Sequence, residues 1–388
     1  MQHVRLSDLS FSFDEGTSLM VRSQAHGVAA RLPPPAVAIL AMCARPTTRE
    51  QVAQAMGPQM AGLYDGLVGA GLLISPDRAD DTPVFFHNFA GIEIHRRMLG
   101  DQARVDAYAR AIQAAVEPGM VVLDAGTGSG LLACLAAKAG ARKVYAVDNS
   151  EVLTLAQQTI AHNDLGGVVQ PVRGDFGKVK VPEPVDLIVS ETFGALALAE
   201  GSVPDLMACA EHNLKPTGRV LPDGLSLHLA PVRSARLFGE TLDPFTTLHG
   251  VDLTPLRHSA QGRGRVVDVP ADALLAPGQA FARLAYPSKD PAEGQATFEL
   301  PEGPLHGFAG WFDIYDAGAL MLSTGPDAPP THWRQCFLPL PPLRVPEGGA
   351  TLALQIALFP ASDDRRSLEV EITWTMGEHE GQQRWRVR

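Results

Sequence analysis

Along residues 119–187, continuous apolar runs typical of buried strands alternate with segments in which apolar residues recur at helical spacing. The apolar runs VVLDAG, KVYAVDNS and VDLIVSE alternate with two segments of helical period, LLACLAAKAG and EVLTLAQQTIAHND. Strands that alternate with helices predict a parallel, doubly wound sheet. Ahead of them, GIEIHRRMLGDQARVDAYARAIQAAV keeps one helical pattern and predicts a single long helix that ends near Pro118.

From about residue 219 the apolar positions take the pattern of strands. VLPDGLSLHLAPV, QAFARLAYP, GFAGWFDIYDA, ATLALQIALF and SLEVEITWTM each predict one. The fold class is therefore α/β plus all-β, with a nucleotide-binding type of sheet in residues 85–218 and an all-β domain in residues 219–388.

The first 75 residues predict a separate small domain. LSFSF, LMVRS and GVAARL read as strands, and PPPAVAILAMCA as a helix that begins at prolines. Thr47-x-x-Glu50 predicts a capping box for a second helix, and a third follows. Strands with three helices are typical of a winged helix, and the polar segment SPDRADDTP predicts a linker over about residues 76–84.

The charge of this winged-helix-like domain helps to decide whether it binds nucleic acid or a peptide. Residues 1–75 contain five arginines, no lysine and five acidic residues, and the whole chain carries a net charge of −11. Because the charges within residues 1–75 cancel, the domain would gain little electrostatic free energy from binding nucleic acid. The pattern instead resembles the peptide-recognition domains of enzymes that modify ribosomally made peptides, which would bind a leader peptide as an added strand on the LSFSF/LMVRS sheet edge. A structural or dimer-forming cap is the alternative.

Composition restricts the class of protein and the cellular compartment that we expect. Of the 388 residues 45% are hydrophobic and 19% charged, which excludes a mostly disordered chain. We expect no membrane span, because no apolar run is long enough, and no secretory signal at the N-terminus. The four cysteines lie far apart, so we expect neither structural zinc nor disulfides, no metal, and a cytoplasmic location.

A glycine-rich loop follows the first strand of the predicted sheet and opens a helix. Gly126, Gly128 and Gly130 would let the backbone approach a ligand, and Asp148 ends the next strand, where a carboxylate can accept ribose hydroxyls. For a nicotinamide cofactor the third glycine comes one position too early. Asp124, two residues before the first glycine, suits the positive methionyl ammonium of S-adenosylmethionine, which is the predicted cofactor.

From about residue 85 onward the chain resembles the protein arginine methyltransferases. IHRRMLGDQARVDAYARAI, VLDAGTGSG, VYAVDNS, SETFGALALAE and THWRQ are similar to that family's motifs and occur in the same order. The resemblance implies a Rossmann-like cofactor domain followed by a β-barrel-like domain. It also implies a homodimer formed through an arm near residues 235–255, with apolar contacts from Leu237, Phe238, Leu242, Phe245 and Leu248.

The same resemblance implies the roles of particular residues. Glu191 and Glu200 would hold the substrate guanidinium between them, and Asp101 with His332 would take the leaving proton. Arg104 would bind the cofactor carboxylate. The remaining implied contacts are His95, Met98, Phe86 and Asp175 toward the cofactor and Phe85, His87, Phe89, Thr192 and Trp333 toward the substrate.

Some of these positions depart from the family pattern. Phe85-Phe86-His87-Asn88-Phe89 lacks two tyrosines, Thr192 replaces a tryptophan, and Gly177 stands where an adenine-facing glutamate is usual, so that Asp175 would take its place.

The predicted function is N-methylation of a peptide or protein side chain, with arginine favoured and a ribosomal precursor peptide as the substrate. A peptide histidine, a small molecule and a non-catalytic binding role remain as alternatives. A nucleic-acid amino group is disfavoured because the loop after DLIVS reads SETFG.

Overall fold

The structure, a computed structural model, describes residues 2–5, 9–13, 19–23, 28–75 and 91–388. The chain divides into two compact units, Met1–Ile94 and His95–Arg388.

Over the residues described up to Ser75, the N-terminal unit contains two small antiparallel sheets and three helices. One sheet has the order β2-β3-β4 and the other β5-β1-β6, so β3 is the central strand of its sheet. The LMVRS strand predicted at a sheet edge is therefore central, and LSFSF is the edge strand beside it. The elements are β1 Gln2–Arg5, β2 Leu9–Phe13, β3 Leu19–Ser23, β4 Val28–Leu32, α1 Pro35–Met42, β5 Thr47–Thr48, α2 Arg49–Met56, α3 Met60–Gly69 and β6 Leu73–Ile74.

The capping box of α2 lies one residue later than predicted. Thr48 caps the helix: its side chain accepts a hydrogen bond from the Gln51 N–H, and the Gln51 side chain accepts one from the Thr48 N–H. Thr47 instead donates its hydroxyl to the carbonyls of Met42 and Arg45. Because those bonds hold the Thr47 side chain near the end of α1, Thr48 takes the capping position and α2 begins at Arg49.

The predicted doubly wound parallel sheet is confirmed in the C-terminal unit. Its order is β11-β10-β7-β8-β9, and all five residues of the central strand β7 are buried. This arrangement brings the carboxyl ends of β7, β8 and β10 to one edge of the sheet, where ligands bind in such folds. The strands are β7 Val121–Ala125, β8 Lys143–Asp148, β9 Val169–Arg173, β10 Val185–Ser190 and β11 Leu214–Leu221.

The single long helix predicted before the sheet is wrong. Two helices, α4 Ile92–Gly100 and α5 Gln102–Ala115, meet at Asp101. Asp101 has a non-helical ψ of 85° and accepts a hydrogen bond from the backbone N–H of Arg104, so it caps α5 and ends the preceding helix. The sheet is further covered by α6 Leu131–Lys138, α7 Leu153–His162 and α8 Val203–Asn213.

The β-rich domain contains two large sheets and the two-stranded hairpin β13–β14. Five strands follow the order β15-β20-β18-β12-β16, with β19 paired to β18, and the second sheet has the order β17-β21-β22-β23. The predicted start of this domain at residue 219 falls inside β11, which belongs to the parallel sheet. The strands are β12 Gly224–Val232, β13 Thr247–Leu248, β14 Val251–Asp252, β15 Arg265–Val267, β16 Gln279–Ala285, β17 Ala292–Leu300, β18 Gly303–Asp316, β19 Ala319–Ser323, β20 Gln335–Val345, β21 Ala350–Ala361, β22 Asp364–Met376 and β23 His379–Val387.

The segment that was predicted as the dimer arm forms two helices and a hairpin. Helices α9 Ala235–Leu242 and α10 Thr254–Gln261 flank the hairpin β13–β14. Leu237 and Leu242 are fully buried within their own chain, so they cannot supply the intersubunit contact predicted for them. Leu248 of the hairpin is 50% exposed.

One hydrophobic core joins the parallel sheet to the β-rich domain. Val122 and Ile188 of the parallel sheet belong to the same buried cluster as Leu227, Phe298 and Phe312 of the β-rich domain. The carboxyl edge of the parallel sheet is thus fixed rigidly against the neighbouring strands. Over the described ranges, no helix is long and apolar enough to cross a membrane, and no group of acidic, histidine and cysteine side chains is arranged to hold a metal ion.

Candidate active site

The glycine loop connects the carboxyl end of β7 to α6. Gly126, Gly128 and Gly130 have φ angles of 80°, 52° and 84°, which glycine adopts at little steric cost. A Cβ at Gly126 would lie 2.9 Å from Thr192 Cγ2, and one at Gly128 would lie 3.1 Å from His95 Cε1. The loop therefore packs closely against two of the residues that were predicted to line the site.

Asp124 is a buried carboxylate near the end of β7, just before this loop. It is 1% exposed, and its Oδ2 accepts hydrogen bonds from the Thr127 hydroxyl at 2.6 Å and the Ala133 N–H at 3.0 Å. Its Oδ1 is buried and has no hydrogen-bond partner within the described part of the chain. Burial raises the pKa of Asp124 to about 7, although both hydrogen bonds act to lower it. Such an oxygen requires a cationic or N–H partner.

Asp148 stands across the loop at the end of β8. Its Oδ2 accepts the Gly128 N–H at 2.9 Å, and its Oδ1 accepts the N–H and the hydroxyl of Ser150 at 2.8 and 2.7 Å. These bonds fix the carboxylate beside the glycine backbone. The partnerless oxygen of Asp124 and the glycine-rich loop between the two acids fit the ammonium and the ribose hydroxyls of S-adenosylmethionine.

Arg104 lies on α5 between the predicted cofactor and acceptor sides of the site. Its Nη1 forms an ion pair with Glu191 Oε2, and its Nη2 donates to the Met98 carbonyl at 2.9 Å. The side chain is buried, and its Nε has no hydrogen-bond partner among the residues described. Burial lowers the pKa of Arg104, but a guanidinium remains charged at neutral pH. Glu191 is a partner that the sequence did not predict for this arginine.

The two glutamates lie at the two ends of one strained loop. Glu191 follows β10 directly, and Glu200 belongs to a single 3₁₀ turn, Ala199–Gly201. Leu196, Ala197 and Glu200 have φ angles of 51°, 62° and 75°. Left-handed backbone at residues other than glycine is costly and clusters at functional sites.

Packing beneath this loop holds its shape. The Trp333 Nε1–H donates to the Phe193 carbonyl at 2.8 Å, and the Phe193 ring lies 6.2 Å from the Trp333 ring and 5.6 Å from that of Phe312. The Ser202 hydroxyl donates to the Thr192 carbonyl at 2.7 Å. Trp333 is thus a buried support of the loop, while its contact with substrate, like that of Thr192, stays a prediction.

Glu200 is half-buried, with a strongly perturbed carboxyl group. Burial raises its pKa to about 8, and the positive charge of Arg366 partly opposes that rise. A second cation near Glu200 would stabilise its ionised form further. A guanidinium placed between Glu191 and Glu200 would meet both carboxylates and favour their charged forms.

Asp101 and His332 form a hydrogen-bonded pair. Asp101 Oδ2 accepts the His332 N–H and lies 2.8 Å from His332 Nδ1. Burial acts to raise the pKa of Asp101, but hydrogen bonds from His332 and Arg104 outweigh it, so the pKa lies below its usual value. Burial lowers the pKa of His332, with partial compensation by Asp101. A neutral imidazole with Nδ1–H on the carboxylate leaves Nε2 able to accept a proton.

Other predicted residues are placed less completely. Asp175 accepts the Gly177 N–H at 3.0 Å and pairs with Lys178 at 3.3 Å, so its contact with adenine stays a prediction. The predicted contacts of four residues lie outside the described residues: Phe85, Phe86, His87 and Phe89.

Two residues near the glutamate loop were missed by sequence reasoning. Tyr286 is buried with its ring 4.8 Å from that of Phe193, and Arg366 acts on Glu200 from β22. Both come from the β-rich domain, far along the chain from the loop, and neither belongs to a motif. No signal in a single sequence could have identified them.

Comparisons with known proteins bear on this site. The arginine methyltransferase oligomerization subdomain matches residues 224–379, and the ribosomal protein L11 methyltransferase family matches residues 107–225. Protein arginine N-methyltransferase 6 of Xenopus laevis is 30% identical over 78% of this chain and 94% of its own length. Ribosomal protein arginine N-methyltransferase rmt3 of Schizosaccharomyces pombe is 29% identical over 79% of this chain, which spans 60% of that protein's length.

Solved structures show the same architecture. The Trypanosoma brucei PRMT1 enzyme-prozyme heterotetrameric complex with AdoHcy matches 77% of this chain and 99% of its own, with 26% identity and a TM-score of 0.72. Arabidopsis thaliana protein arginine methyltransferase 10 matches 78% of this chain and 100% of its own, with 24% identity and a TM-score of 0.68. The second likeness concerns the fold alone.

Proposed function

Because this chain belongs to the protein arginine N-methyltransferase family, we propose that it methylates an arginine guanidinium of a peptide that its N-terminal unit recognises. The chain is an S-adenosylmethionine-dependent methyltransferase that acts on arginine in proteins. The comparisons give no support to the alternatives of a histidine acceptor, a small molecule or a non-catalytic role.

The acceptor site is formed by the loop between the two glutamates. When bound, S-adenosylmethionine supplies a methyl group on a positively charged sulfur, which leaves as a neutral thioether. Glu191 and Glu200 hold the guanidinium on two sides and draw its positive charge toward themselves, which leaves one nitrogen better able to attack. Arg104 orients Glu191 through their ion pair.

The proton that leaves the methylated nitrogen needs an acceptor. His332 is buried, hydrogen-bonded through Nδ1 to Asp101, and has a lowered pKa, so it is neutral near pH 7. We assign to its Nε2 the role of general base, directly or through water, with Asp101 stabilising the resulting imidazolium.

The observation that carries the arginine assignment is the placement of Glu191 and Glu200 at the two ends of one buried loop against the glycine loop. Glu191→Gln should lower turnover on an arginine-containing peptide by roughly a hundredfold or more, the scale of a lost preorganised electrostatic contact. Cofactor affinity, measured by calorimetry, should change by no more than about a few-fold, because the glycine loop and its acids are intact.

A matched control and a second peptide make the test specific. Glu211→Gln changes an exposed glutamate of α8 and should leave turnover unchanged. Mass spectrometry of the same peptide with its arginine replaced by histidine or lysine should show no methylation. Full activity of Glu191→Gln, or transfer to histidine, would contradict the assignment.

Support for peptide recognition comes from the N-terminal unit by itself. Among the described strands, β2 lies at an edge of the β2-β3-β4 sheet, and an edge strand can accept a further strand through main-chain hydrogen bonds. Val37 on α1 is 41% exposed, which leaves an apolar side chain available to a ligand. We propose that a leader peptide, attached to the arginine-containing core, adds to β2.

Support for a homodimer comes from the hairpin β13–β14 and helix α10. Leu248, Val251 and Leu256 are 50%, 60% and 51% exposed, a concentration of apolar surface in one short segment. The segment lies within residues 224–379, which match an oligomerization subdomain. We propose that a second copy of the chain covers it, and that the enzyme acts in the cytoplasm, since its four free cysteines suit a reducing compartment.

A further inference from the structure

Gly201, the residue after Glu200, packs against the start of strand β22. Gly201, with φ of 65°, brings the loop so close to this strand that a Cβ at that position would lie 2.5 Å from the Arg365 carbonyl oxygen. The strand start is itself fixed, because Asp364 accepts the Arg366 N–H at 3.1 Å and the Ser367 hydroxyl at 2.8 Å. The backbone next to Glu200 is therefore in contact with the backbone next to Arg366.

The two consecutive arginines at this contact have different surroundings. Arg365 has a side chain that is 44% exposed and pairs with Asp205 of α8 at 3.3 Å. Arg366 is only 7% exposed. A buried guanidinium costs desolvation free energy, which is offset when it lies near a buried carboxylate.

Two arginines around the loop form ion pairs with acidic residues other than Glu200. Arg104 engages Glu191 at one end of the loop, and Arg365 engages Asp205 on α8. At the other end of the loop, the positive charge that acts on Glu200 comes from Arg366.

We propose that Arg366 is a positioning residue of the acceptor site, which favours the ionised form of Glu200 before the substrate guanidinium arrives. This inference rests on the proposed function, since it concerns the same guanidinium site. It extends the acceptor site to the second sheet of the β-rich domain.

Kinetics over a range of pH test the proposal. Arg366→Gln removes the charge, so the pKa of Glu200 should rise further, and the ascending limb of the kcat/KM profile on an arginine-containing peptide should move up by about one pH unit. At pH 7 kcat/KM should fall roughly tenfold or more and should recover toward the wild-type value near pH 9.5. Arg366→Lys keeps the charge and should preserve most of the activity.

Arg365→Gln is the matched control, because it removes the neighbouring exposed charge. Its kcat/KM should stay within about twofold of wild type, as is usual for an exposed ion pair. An Arg366→Gln profile that matches that of Arg365→Gln, or activity that is reduced equally at every pH, would overturn the proposal. If the wild-type enzyme methylated no arginine peptide, the proposed function would fail instead.

A thermal double-mutant cycle tests the pair without catalysis. Arg366→Gln should lower the melting temperature at pH 9 more in wild type than in Glu200→Gln, because only the wild-type background keeps the Glu200 carboxylate, which loses a nearby positive charge. Additive changes in melting temperature would show that the two side chains do not interact, and would overturn the inference whatever the activity.

Discussion

At the residue scale, the state of Asp124 should control cofactor binding. With a pKa raised to about 7 by burial, this carboxyl is neutral below that pH and negative above it. The cofactor ammonium stays protonated below about pH 7.7, so it meets a negative partner only when Asp124 is ionised. Binding therefore favours the charged form and lowers the pKa of Asp124 in the complex, and affinity should weaken as the pH falls.

Calorimetry between pH 7.5 and 5.5 checks this expectation. The dissociation constant of S-adenosylmethionine should rise by roughly tenfold or more across that interval, since each pH unit below the pKa of the free protein costs up to tenfold. Asp124→Asn should bind more weakly at pH 7.5 and show a flatter dependence. Asp175→Asn removes a half-buried acid that pairs with Lys178 and should keep the wild-type slope. An unchanged slope in Asp124→Asn would assign the titration to another group.

Local chemistry in the sequence was enough to predict which residues form the cofactor side of the site. Asp124 and Asp148 lie at the ends of strands and the three glycines follow one, and strand ends can be recognised from apolar runs without knowledge of the tertiary structure. The ion pair of Arg104 with Glu191 and the proximity of Arg366 to Glu200 could not be predicted, because they join segments that only the folded chain brings together.

At the element scale, the errors have local physical causes. A continuous helical pattern hid the break at Asp101, where the side chain satisfies the Arg104 N–H and also the His332 N–H from a distant loop. One residue thus ends a helix and anchors the candidate general base. The left-handed backbone of Leu196, Ala197 and Glu200 could not be predicted, because their residue types do not favour it and packing below the loop imposes it.

The hairpin β13–β14 and helix α10 carry the element-scale prediction. The double substitution Leu248→Glu with Leu256→Glu places two charges on the exposed apolar surface of this segment, which is unfavourable if a second copy covers it. Light scattering at micromolar concentration should give a dimer mass for wild type and a monomer mass for the variant.

Leu320→Glu, at a 58% exposed leucine of β19, is the control and should stay dimeric. A wild-type monomer, or a dimer that tolerates the double substitution, would contradict the proposed interface.

At the scale of the whole molecule, the two units have separate hydrophobic cores, so each can be tested for its own function. The buried cluster formed by Ile39, Tyr64 and Leu67 lies entirely in the N-terminal unit, and the clusters around the catalytic site lie entirely in the other. Removing residues 1–75 should therefore leave the cofactor affinity unchanged within about twofold, because every residue that we assign to the cofactor within the described chain belongs to His95–Arg388.

The effect of that deletion on peptides distinguishes recognition from a structural cap. If β2 binds a leader as an added strand, the leader raises the effective concentration of the core arginine near Glu191 and Glu200, and the deletion should raise KM for a leader-containing peptide roughly a hundredfold. KM for a short core peptide should hardly change, since that peptide never used the second contact. Added salt should matter little, because residues 1–75 carry five positive and five negative side chains. An equal loss on long and short peptides would identify residues 1–75 as a cap, and salt-sensitive DNA binding by the full chain would point to the nucleic-acid function that the charge balance disfavours.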